Sequence, residues 1–322
     1  MDRLRLQALS CWYLTGPTAS GKTKVGITLA RRLGAEIVSL DSMAIYRDMD
    51  IGTAKPTDEE LGGIPIHLID IVDPSEEYSL ARYIAAAHEK IIEIHNRGRR
   101  VLFVGGTPLY LKGMLRGIFE GPPANEEFRK QLEQKARGKQ PEYLHKMLKK
   151  VDSASAKRLH PNDIRRIVRA LEVYELTGHP ISAFQKQFEN GVPAADCNVY
   201  VLQWPREVLY ARIDKRVDMM MYDGFLDEVK RLTERKLPIS RTARQALGYR
   251  ELLDYLEGKL KFGQAVDLMK QNTRNFAKRQ ETWFRSLSEC RFLSGNDPKI
   301  ELDFEETDPP GDLPPPPDTD EE

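Results

Sequence analysis

The stretch GPTASGKT at residues 16–23 decides the fold, because it matches the pattern G-x-x-x-x-G-K-[S/T] of the phosphate-binding loop. The apolar run CWYL precedes it and predicts a buried strand. Val25, Leu29 and Leu33 follow at helical spacing, and Gly34 is a typical helix stop. The context is therefore strand, glycine loop and helix, which is the arrangement in which such a loop binds phosphate.

Two further strands follow the loop. AEIVSLDS is a short apolar run that ends at Asp41, and RRVLFVGGT is another that ends at Thr107. Between them, Ser79 is a typical N-cap for a long amphipathic helix that Gly98 closes. Strands that alternate with helices predict an α/β fold, a P-loop NTPase-like doubly wound parallel sheet with ligands at the carboxyl ends of the strands. The loop, Asp41 and Thr107 all fall at such ends.

The pattern changes at about Pro122, where charged helical sequence with few β-branched runs begins and continues to about Pro193. The run CNVYVLQW then restores a strand. We predict a first part of the P-loop core at 1–123, a helical insertion at 124–197, a second part of the core with a helical C-terminal region at 198–300, and a disordered acidic, proline-rich tail at 301–322.

The net charge of zero conceals an uneven distribution of charge. The tail from Glu301 to Glu322 holds ten acidic residues and no Lys or Arg, so 49 basic and 39 acidic residues remain in 1–300 and the body carries a charge of +10. A basic body is compatible with a polyanionic partner.

Composition excludes several classes of protein. Apolar residues make up 40% of the chain, which is sufficient for a core, and no apolar run approaches the ~18 residues of a membrane helix. The N-terminal stretch lacks the layout of a signal peptide. Cys11, Cys197 and Cys290 lie far apart without a C-x-x-C pair, which argues against a disulfide framework and a zinc site. We expect a cytoplasmic monomer with no membrane partner.

The residue types in the loop point to binding of a phosphate group rather than to hydrolysis of a nucleotide. Backbone N–H groups and the helix N-terminus form an anion site, Lys22 adds a charge, and the hydroxyl of Thr23 can hold Mg²⁺. An ATPase normally has a later strand that ends in an acid for the metal. The best later strand here ends in Gly-Gly-Thr, and the acid is instead Asp41 on the second strand. We predict phosphate binding, with Asp41 able to serve as a base.

An ordered set of segments resembles the bacterial tRNA dimethylallyltransferase (tRNA isopentenyltransferase) family. The segments are GPTASGKT, SLDSMAIYRDMDIGTAKPT, HLIDIVDPSEEYS, VGGTPLYLKGML, HPNDIRRIVRALEVYELTG, QALGYRE and AKRQETWFR. The resemblance implies that the loop binds the diphosphate of dimethylallyl diphosphate. It further implies transfer of the five-carbon group to the exocyclic amine of the adenosine immediately 3′ of the anticodon in tRNA.

The resemblance also implies roles for particular residues at the donor site. Asp41 corresponds to the base, Lys22 meets the charge of the leaving group, and Thr107 faces the target nucleotide. Taken alone, the sequence leaves Asp41 open as a metal-associated acid and Thr107 as a hydroxyl that satisfies its own turn. The diphosphate-binding residues implied are Gly16, Pro17, Thr18, Ala19, Ser20, Gly21, Lys22, Thr23 and Arg216, with Mg²⁺ on Thr23.

The tRNA contacts implied by the resemblance come from six places in the chain. They are Asp41, Ser42, Met43, Ala44 and Thr107; Arg129; Arg165, Arg166, Ile167, Val168 and Arg169; Gln245, Gly248, Tyr249 and Arg250; and Lys278, Arg279, Gln280, Trp283 and Arg285. From charge alone, the arginine-rich helix also fits a solvated face paired with Glu172 and Glu175, and Trp283 also fits a core position. Lys270 and Arg274 extend the basic stripe that carries Lys278 and Arg285.

Three other functions compete with this one. An enzyme that prenylates free AMP, ADP or ATP would have no use for the insertion or for the KRQETWFR helix. A small-molecule kinase would need the missing second acid. A non-catalytic tRNA-binding module would not need Lys22, Thr23 and Asp41 together.

Overall fold

The computed structural model describes residues 3–119, 121–140, 142–185 and 191–295. The predicted disordered tail at 301–322 lies outside these residues. The chain divides into two compact units, one formed by Met1–Leu115 with Val192–Glu322 and the other by Arg116–Gly191. The second unit overlaps the predicted insertion at 124–197 but begins and ends earlier.

The first unit is built on a six-stranded sheet in the order β3-β2-β4-β1-β5-β6, and all its pairings are parallel. The strands are β1 (Trp12–Thr15), β2 (Ala35–Ser39), β3 (Ile66–His67), β4 (Arg100–Val104), β5 (Asn198–Gln203) and β6 (Cys290–Ser294). The predicted doubly wound α/β fold is confirmed. The edge strands β3 and β6 were not predicted, because both are partly exposed and lack the continuous apolar run of a central parallel strand.

Fifteen helices lie among the described residues. In chain order they are α1 (Arg3–Leu9), α2 (Lys22–Leu33), α3 (Asp58–Leu61), α4 (Leu80–Asn96), α5 (Pro108–Arg116), α6 (Glu126–Ala136), α7 (Glu142–Val151), α8 (Ser153–Arg158), α9 (Ile164–Thr177), α10 (Ile181–Gln185), α11 (Arg206–Tyr222), α12 (Phe225–Thr233), α13 (Arg241–Arg244), α14 (Tyr249–Leu256) and α15 (Phe262–Arg285). None of the helices in this part of the chain is both long and apolar enough to cross a membrane.

The two faces of the sheet carry separate hydrophobic clusters. Consecutive residues of a strand point to opposite faces, so Tyr13 of β1 packs with Tyr83 of α4, whereas Leu14 packs with Leu29 of α2. Because both faces are covered by helices, the central strands are buried over most of their length, and the edge formed by their carboxyl ends is where polar side chains collect.

The second unit is an all-helical bundle of α6 to α10 with its own core. Leu132, Leu144, Leu148 and Leu171 pack together in that core. The side chain of Asp163 caps the helix α9, because it accepts a hydrogen bond from the first turn, and Gly178 ends the helix at φ 70°.

Candidate active site

The phosphate loop joins β1 to α2, and its backbone conformation is fixed by three residues. Gly16, Ala19 and Gly21 have φ values of 149°, 63° and 91°, in the region that favours glycine. A Cβ atom on Gly16 would lie 2.8 Å from the carbonyl oxygen of Leu202 on β5, so a side chain is excluded there. Gly21 begins α2 without a side-chain cap, which leaves the first-turn amides of the helix for an anion.

Two side chains hold the loop from behind. The indole Nε1 of Trp204 donates to the carbonyl oxygen of Ser20 at 2.9 Å, and Nε of Arg212 donates to that of Ala19 at 2.8 Å. The guanidinium of Arg212 also lies 4.3 Å from the ring centre of Trp204. The loop is therefore fixed before any ligand binds. Sequence reasoning missed both residues, because they lie 184 and 193 positions along the chain from their partners.

Two basic side chains, those of Lys22 and Arg216, lie at the loop with the carboxylate of Asp41 near them. Nζ of Lys22 donates to the carbonyl oxygen of Pro17 at 2.8 Å. Burial, together with the positive charge of Arg216, lowers the pKa of Lys22 to about 7, and the negative charge of Asp41 acts in the opposite direction. Burial also lowers the pKa of Arg216, again against the influence of Asp41. A partly buried pair of cations beside one carboxylate favours the binding of a multiply charged anion.

Two hydroxyls of the loop are available to such an anion and its metal ion. Oγ of Ser20 is buried and has no hydrogen-bond partner among the described residues, whereas Thr23 is exposed on the first turn of α2. Within the same residues there is no group of three or more His, Cys, Asp or Glu side chains suited to a metal ion. A Mg²⁺ ion that takes one protein hydroxyl, phosphate oxygens and water needs no such group. The residues present therefore fit a Mg²⁺ ion that binds with a diphosphate.

Asp41 follows β2 and uses one of its two carboxylate oxygens in a tight turn. Its Oδ1 accepts hydrogen bonds from the backbone N–H groups of Met43 at 2.8 Å and of Ala44 at 3.3 Å. Oδ2 accepts no hydrogen bond from the described residues. The turn therefore orients the carboxylate and leaves one oxygen able to take a proton. Ala44 itself is buried.

Thr107 joins the end of β4 to the turn at Asp41. Its hydroxyl accepts a hydrogen bond from the N–H of Ser42 at 3.0 Å and lies 3.4 Å from the hydroxyl of Ser42. Its own N–H donates to the carbonyl oxygen of Leu40 at 3.1 Å. A Cβ atom on Gly105 would come within 2.2 Å of that carbonyl oxygen, so only glycine allows the two strand ends to approach so closely. The hydroxyl of Thr107 thus stabilises a neighbouring strand end rather than its own turn.

The comparisons with known proteins agree with this arrangement. A model of the IPP transferase family matches residues 44–287. The chain belongs to the IPP transferase family. A tRNA dimethylallyltransferase from Symbiobacterium thermophilum is 51% identical over 287 residues, which cover 89% of this chain and 89% of the relative. Another from Pelotomaculum thermopropionicum is 46% identical over 281 residues, covering 87% and 89%.

Solved structures give the same family. The full-length tRNA isopentenylpyrophosphate transferase of Bacillus halodurans is 41% identical with a TM-score of 0.66, and the match covers 91% of this chain and 93% of that one. A eukaryotic dimethylallyltransferase acting on tRNA is 31% identical with a TM-score of 0.71, over 89% of this chain and 74% of that one. This chain therefore shares both sequence and fold with the IPP transferases.

In this IPP transferase, the residues of the first unit that were predicted to contact tRNA differ in exposure. Gln280, Gly248 and Tyr249 are buried, and Trp283 is partly buried. The exposed members are Gln245, Arg250, Lys278, Arg279 and Arg285.

Gly248 and Tyr249 pack inside the first unit of this chain. A Cβ atom on Gly248 would lie 2.5 Å from the ring of Phe225, and φ there is 85°. The hydroxyl of Tyr249 donates to Glu228 at 2.5 Å, and the same carboxylate accepts hydrogen bonds from the backbone N–H groups of residues 50–52. Packing and a buried hydrogen bond therefore occupy the Tyr249 side chain, and the contact of this position with tRNA stays a prediction.

The basic stripe on α15 is shorter than its sequence suggests. Lys270 pairs with Asp218 at 2.6 Å, and Arg274 pairs with Asp214 at 2.5 Å; both acids lie on α11. These two cations therefore fasten two helices together. The exposed basic residues of α15 that were predicted to contact tRNA lie further along the helix, from Lys278 onward.

In the second unit, two predicted tRNA contacts share one buried carboxylate. Arg129 donates to Glu172 from Nε at 2.8 Å and from Nη2 at 2.9 Å, and Arg169 donates to it from Nη1 at 2.6 Å. Burial acts to raise the pKa of Glu172, but the hydrogen bonds from Arg129 and Arg169 outweigh it and lower that pKa. Both arginine side chains remain one-third exposed. We name these three residues the Glu172 cluster.

The other predicted contacts on α9 divide by face. Arg165 and Arg166 are exposed, and Arg166 pairs with Asp163 at 2.8 Å. Ile167 and Val168 are buried in the core of the helical unit. The helical period turns these two side chains away from the arginine face, and the contact of these positions with tRNA stays a prediction.

Proposed function

We propose that the protein transfers a dimethylallyl group from dimethylallyl diphosphate to the exocyclic N6 amine of the adenosine immediately 3′ of the anticodon in tRNA, with release of diphosphate. Membership of the IPP transferase family supports the reaction class. The observation that supports the assignment of roles is geometric: Ser42, next to Asp41, donates a hydrogen bond to Thr107, and a Cβ atom on the neighbouring Gly106 would lie 3.4 Å from Nζ of Lys22. A base thus lies next to an anion site, as transfer to a weak nucleophile requires.

The reaction exchanges one bond for another at the first carbon of the prenyl group. The bond from that carbon to the bridging oxygen breaks, and its electron pair leaves with the diphosphate. The lone pair of the N6 amine forms the new carbon–nitrogen bond, and the amine loses one proton. That lone pair is drawn into the adenine ring, so removal of the proton favours the product. Oδ2 of Asp41 is the acceptor that we assign to it.

The leaving group carries the charge that must be stabilised in the transition state. Lys22, Arg216, the hydroxyl of Ser20 and the first-turn amides of α2 surround the position proposed for it. We propose that Thr23 holds a Mg²⁺ ion, which when bound supplies further positive charge to the diphosphate. The Trp204 and Arg212 contacts keep these donors in place.

Donor binding should be linked to proton uptake at Lys22. In the free protein the pKa of Lys22 is about 7, so above that pH the side chain is largely neutral, and a bound diphosphate raises its pKa. At pH 8 we expect binding to take up about one proton, and affinity to fall up to about tenfold per pH unit above neutrality. Calorimetry in buffers of different ionisation enthalpy measures this uptake. Proton release or no exchange at pH 8 would contradict it.

The exposed arginines of the second unit should contribute separately to tRNA binding. Arg165 has no ion-pair partner among the described residues, so Arg165→Ala should leave the melting temperature unchanged and reduce the salt slope of tRNA affinity by roughly one unit. Arg169→Ala should lower both tRNA affinity and thermal stability, because it removes one of the cations that pair with the buried carboxylate of Glu172. Salt titrations of tRNA affinity and melting curves test both variants. An unchanged salt slope for Arg165→Ala would show that Arg165 is a solvated surface residue and not a tRNA contact.

One experiment tests the proposed function as a whole. Unmodified tRNA is incubated with the protein, Mg²⁺ and dimethylallyl diphosphate, and its nucleosides are analysed by mass. We expect one adenosine per reactive tRNA to gain a five-carbon unit. Parallel reactions with AMP, and with ATP in the absence of a prenyl donor, serve as comparisons. Modification of AMP in preference to tRNA, or consumption of ATP alone, would replace the proposal by a free-nucleotide prenyltransferase or a kinase.

A further inference from the structure

The side chain of Gln280 connects three parts of the site. It projects from α15 and is 3% exposed. Its Oε1 accepts a hydrogen bond from the N–H of Thr18 in the phosphate loop at 2.9 Å, and its Nε2 donates to the carbonyl oxygen of Gly106 at 2.5 Å. Gly106 immediately precedes Thr107 in the turn after β4. One neutral amide thus spans the loop and the turn that positions the proposed target-facing residue.

The space around this amide admits no larger neighbour. A Cβ atom on Gly106 would lie 2.8 Å from Nε2 of Gln280, 3.3 Å from the carbonyl oxygen of Gly16 and 3.4 Å from Nζ of Lys22. Gly16 and Lys22 of the phosphate loop therefore lie next to Gln280 with one glycine, Gly106, beside all three. A change at Gln280 can therefore displace Lys22, because only the backbone of Gly106 separates them.

We propose that Gln280 is a positioning residue for the prenyl donor and not a tRNA contact. The inference rests on the proposed function, because it assumes that the loop binds the diphosphate. The amide fixes the N–H of Thr18, and with it the start of the loop, while it holds Gly106 beside Nζ of Lys22. It achieves this without a charge that would compete with the diphosphate or neutralise Lys22. The family resemblance implies tRNA contact for this stretch, but the buried position of Gln280 leaves that role to its exposed neighbours.

The test separates donor binding from tRNA binding. Gln280→Met conserves volume and removes both hydrogen bonds. We expect its affinity for inorganic pyrophosphate and for dimethylallyl diphosphate, each measured with Mg²⁺ by calorimetry, to fall about tenfold, which is the usual effect of losing an oriented hydrogen bond. Its affinity for tRNA should stay within about twofold. Lys278→Ala, two residues earlier and exposed, is the matched control, with weaker tRNA binding and unchanged donor binding.

A second variant keeps the test valid if Gln280→Met does not fold. Gln280→Asn retains the amide but is one carbon shorter, so it cannot span Thr18 and Gly106, and we expect a donor defect of the same sign. Normal donor affinity with impaired tRNA affinity in either variant would overturn the proposal and restore the tRNA contact. Equal loss of both affinities would reduce Gln280 to a structural residue. A wild-type protein that binds no pyrophosphate would instead refute the proposed function itself.

Discussion

We expect replacement of Asp41 by Asn to lower the rate of prenyl transfer by a factor of about 10² to 10⁴, which is the contribution of a positioned base. The amide oxygen of Asn can still accept the hydrogen bonds that Met43 and Ala44 donate to Oδ1, so the turn should persist. What the variant lacks is the proton acceptor at Oδ2. The loss should fall on the single-turnover rate, with tRNA affinity nearly unchanged, because the interaction matters mainly in the transition state.

A titration of Mg²⁺ separates this role from that of a metal-associated acid. If Asp41 is the base, excess Mg²⁺ should not restore the rate of Asp41→Asn. Recovery of a near-normal rate at saturating Mg²⁺ would assign the carboxylate to the metal ion instead. Asp58→Asn is the matched control, since it makes the same change at an exposed acid at the start of α3 and should leave the rate unchanged.

Replacement of Lys22 by Met should weaken the binding of dimethylallyl diphosphate by about one to two orders of magnitude. A hydrogen bond between charged partners contributes more than a neutral one, and the variant removes one of the cations beside the phosphate loop while Arg216 remains. The same variant should take up no proton at pH 8 when the donor binds. Affinity for tRNA should be retained.

The control for this variant lies two residues along α2. Lys24→Met makes the same change at an exposed side chain and should bind the donor normally. If both variants lose donor affinity equally, the effect is one of overall charge. If Lys22→Met instead loses tRNA affinity and keeps the donor, the phosphate loop has been assigned to the wrong ligand.

The sequence predicted the parts of the site that are local in the chain. A glycine pattern followed by a helical period specifies a strand, a loop and a helix without reference to the rest of the molecule, and Asp41 and Thr107 could be located because parallel strands end at the same edge. Thr107 was left between two roles, and its bond to Ser42 became evident only from the folded chain.

The sequence could not predict contacts whose partners lie far apart. Gln280 and Thr18 are separated by 262 positions, and no periodicity relates them. Charge patterns misled for a similar reason, because the sequence shows Arg274 on a basic stripe but not the acid on α11 that neutralises it. Tyr249 lies in a stretch assigned by resemblance, and a resemblance transfers a stretch without saying which of its side chains face inward.

The Glu172 cluster attracts a distant anion weakly but presents guanidinium groups of fixed orientation to an anion in contact with it. Two guanidinium groups around one carboxylate carry a net charge of +1, so a distant polyanion is attracted as if by a single cation. At contact, the polyanion meets two guanidinium groups whose orientation is already fixed by their hydrogen bonds to Glu172. The arrangement is also sensitive to acid. The folded state lowers the pKa of Glu172, so its stabilising effect is complete above the usual glutamate range and is lost as the pH falls through the lowered value. Protonation of Glu172 would then raise the charge of the cluster from +1 to +2 and weaken the ion pairs that fix the orientation of the two guanidinium groups.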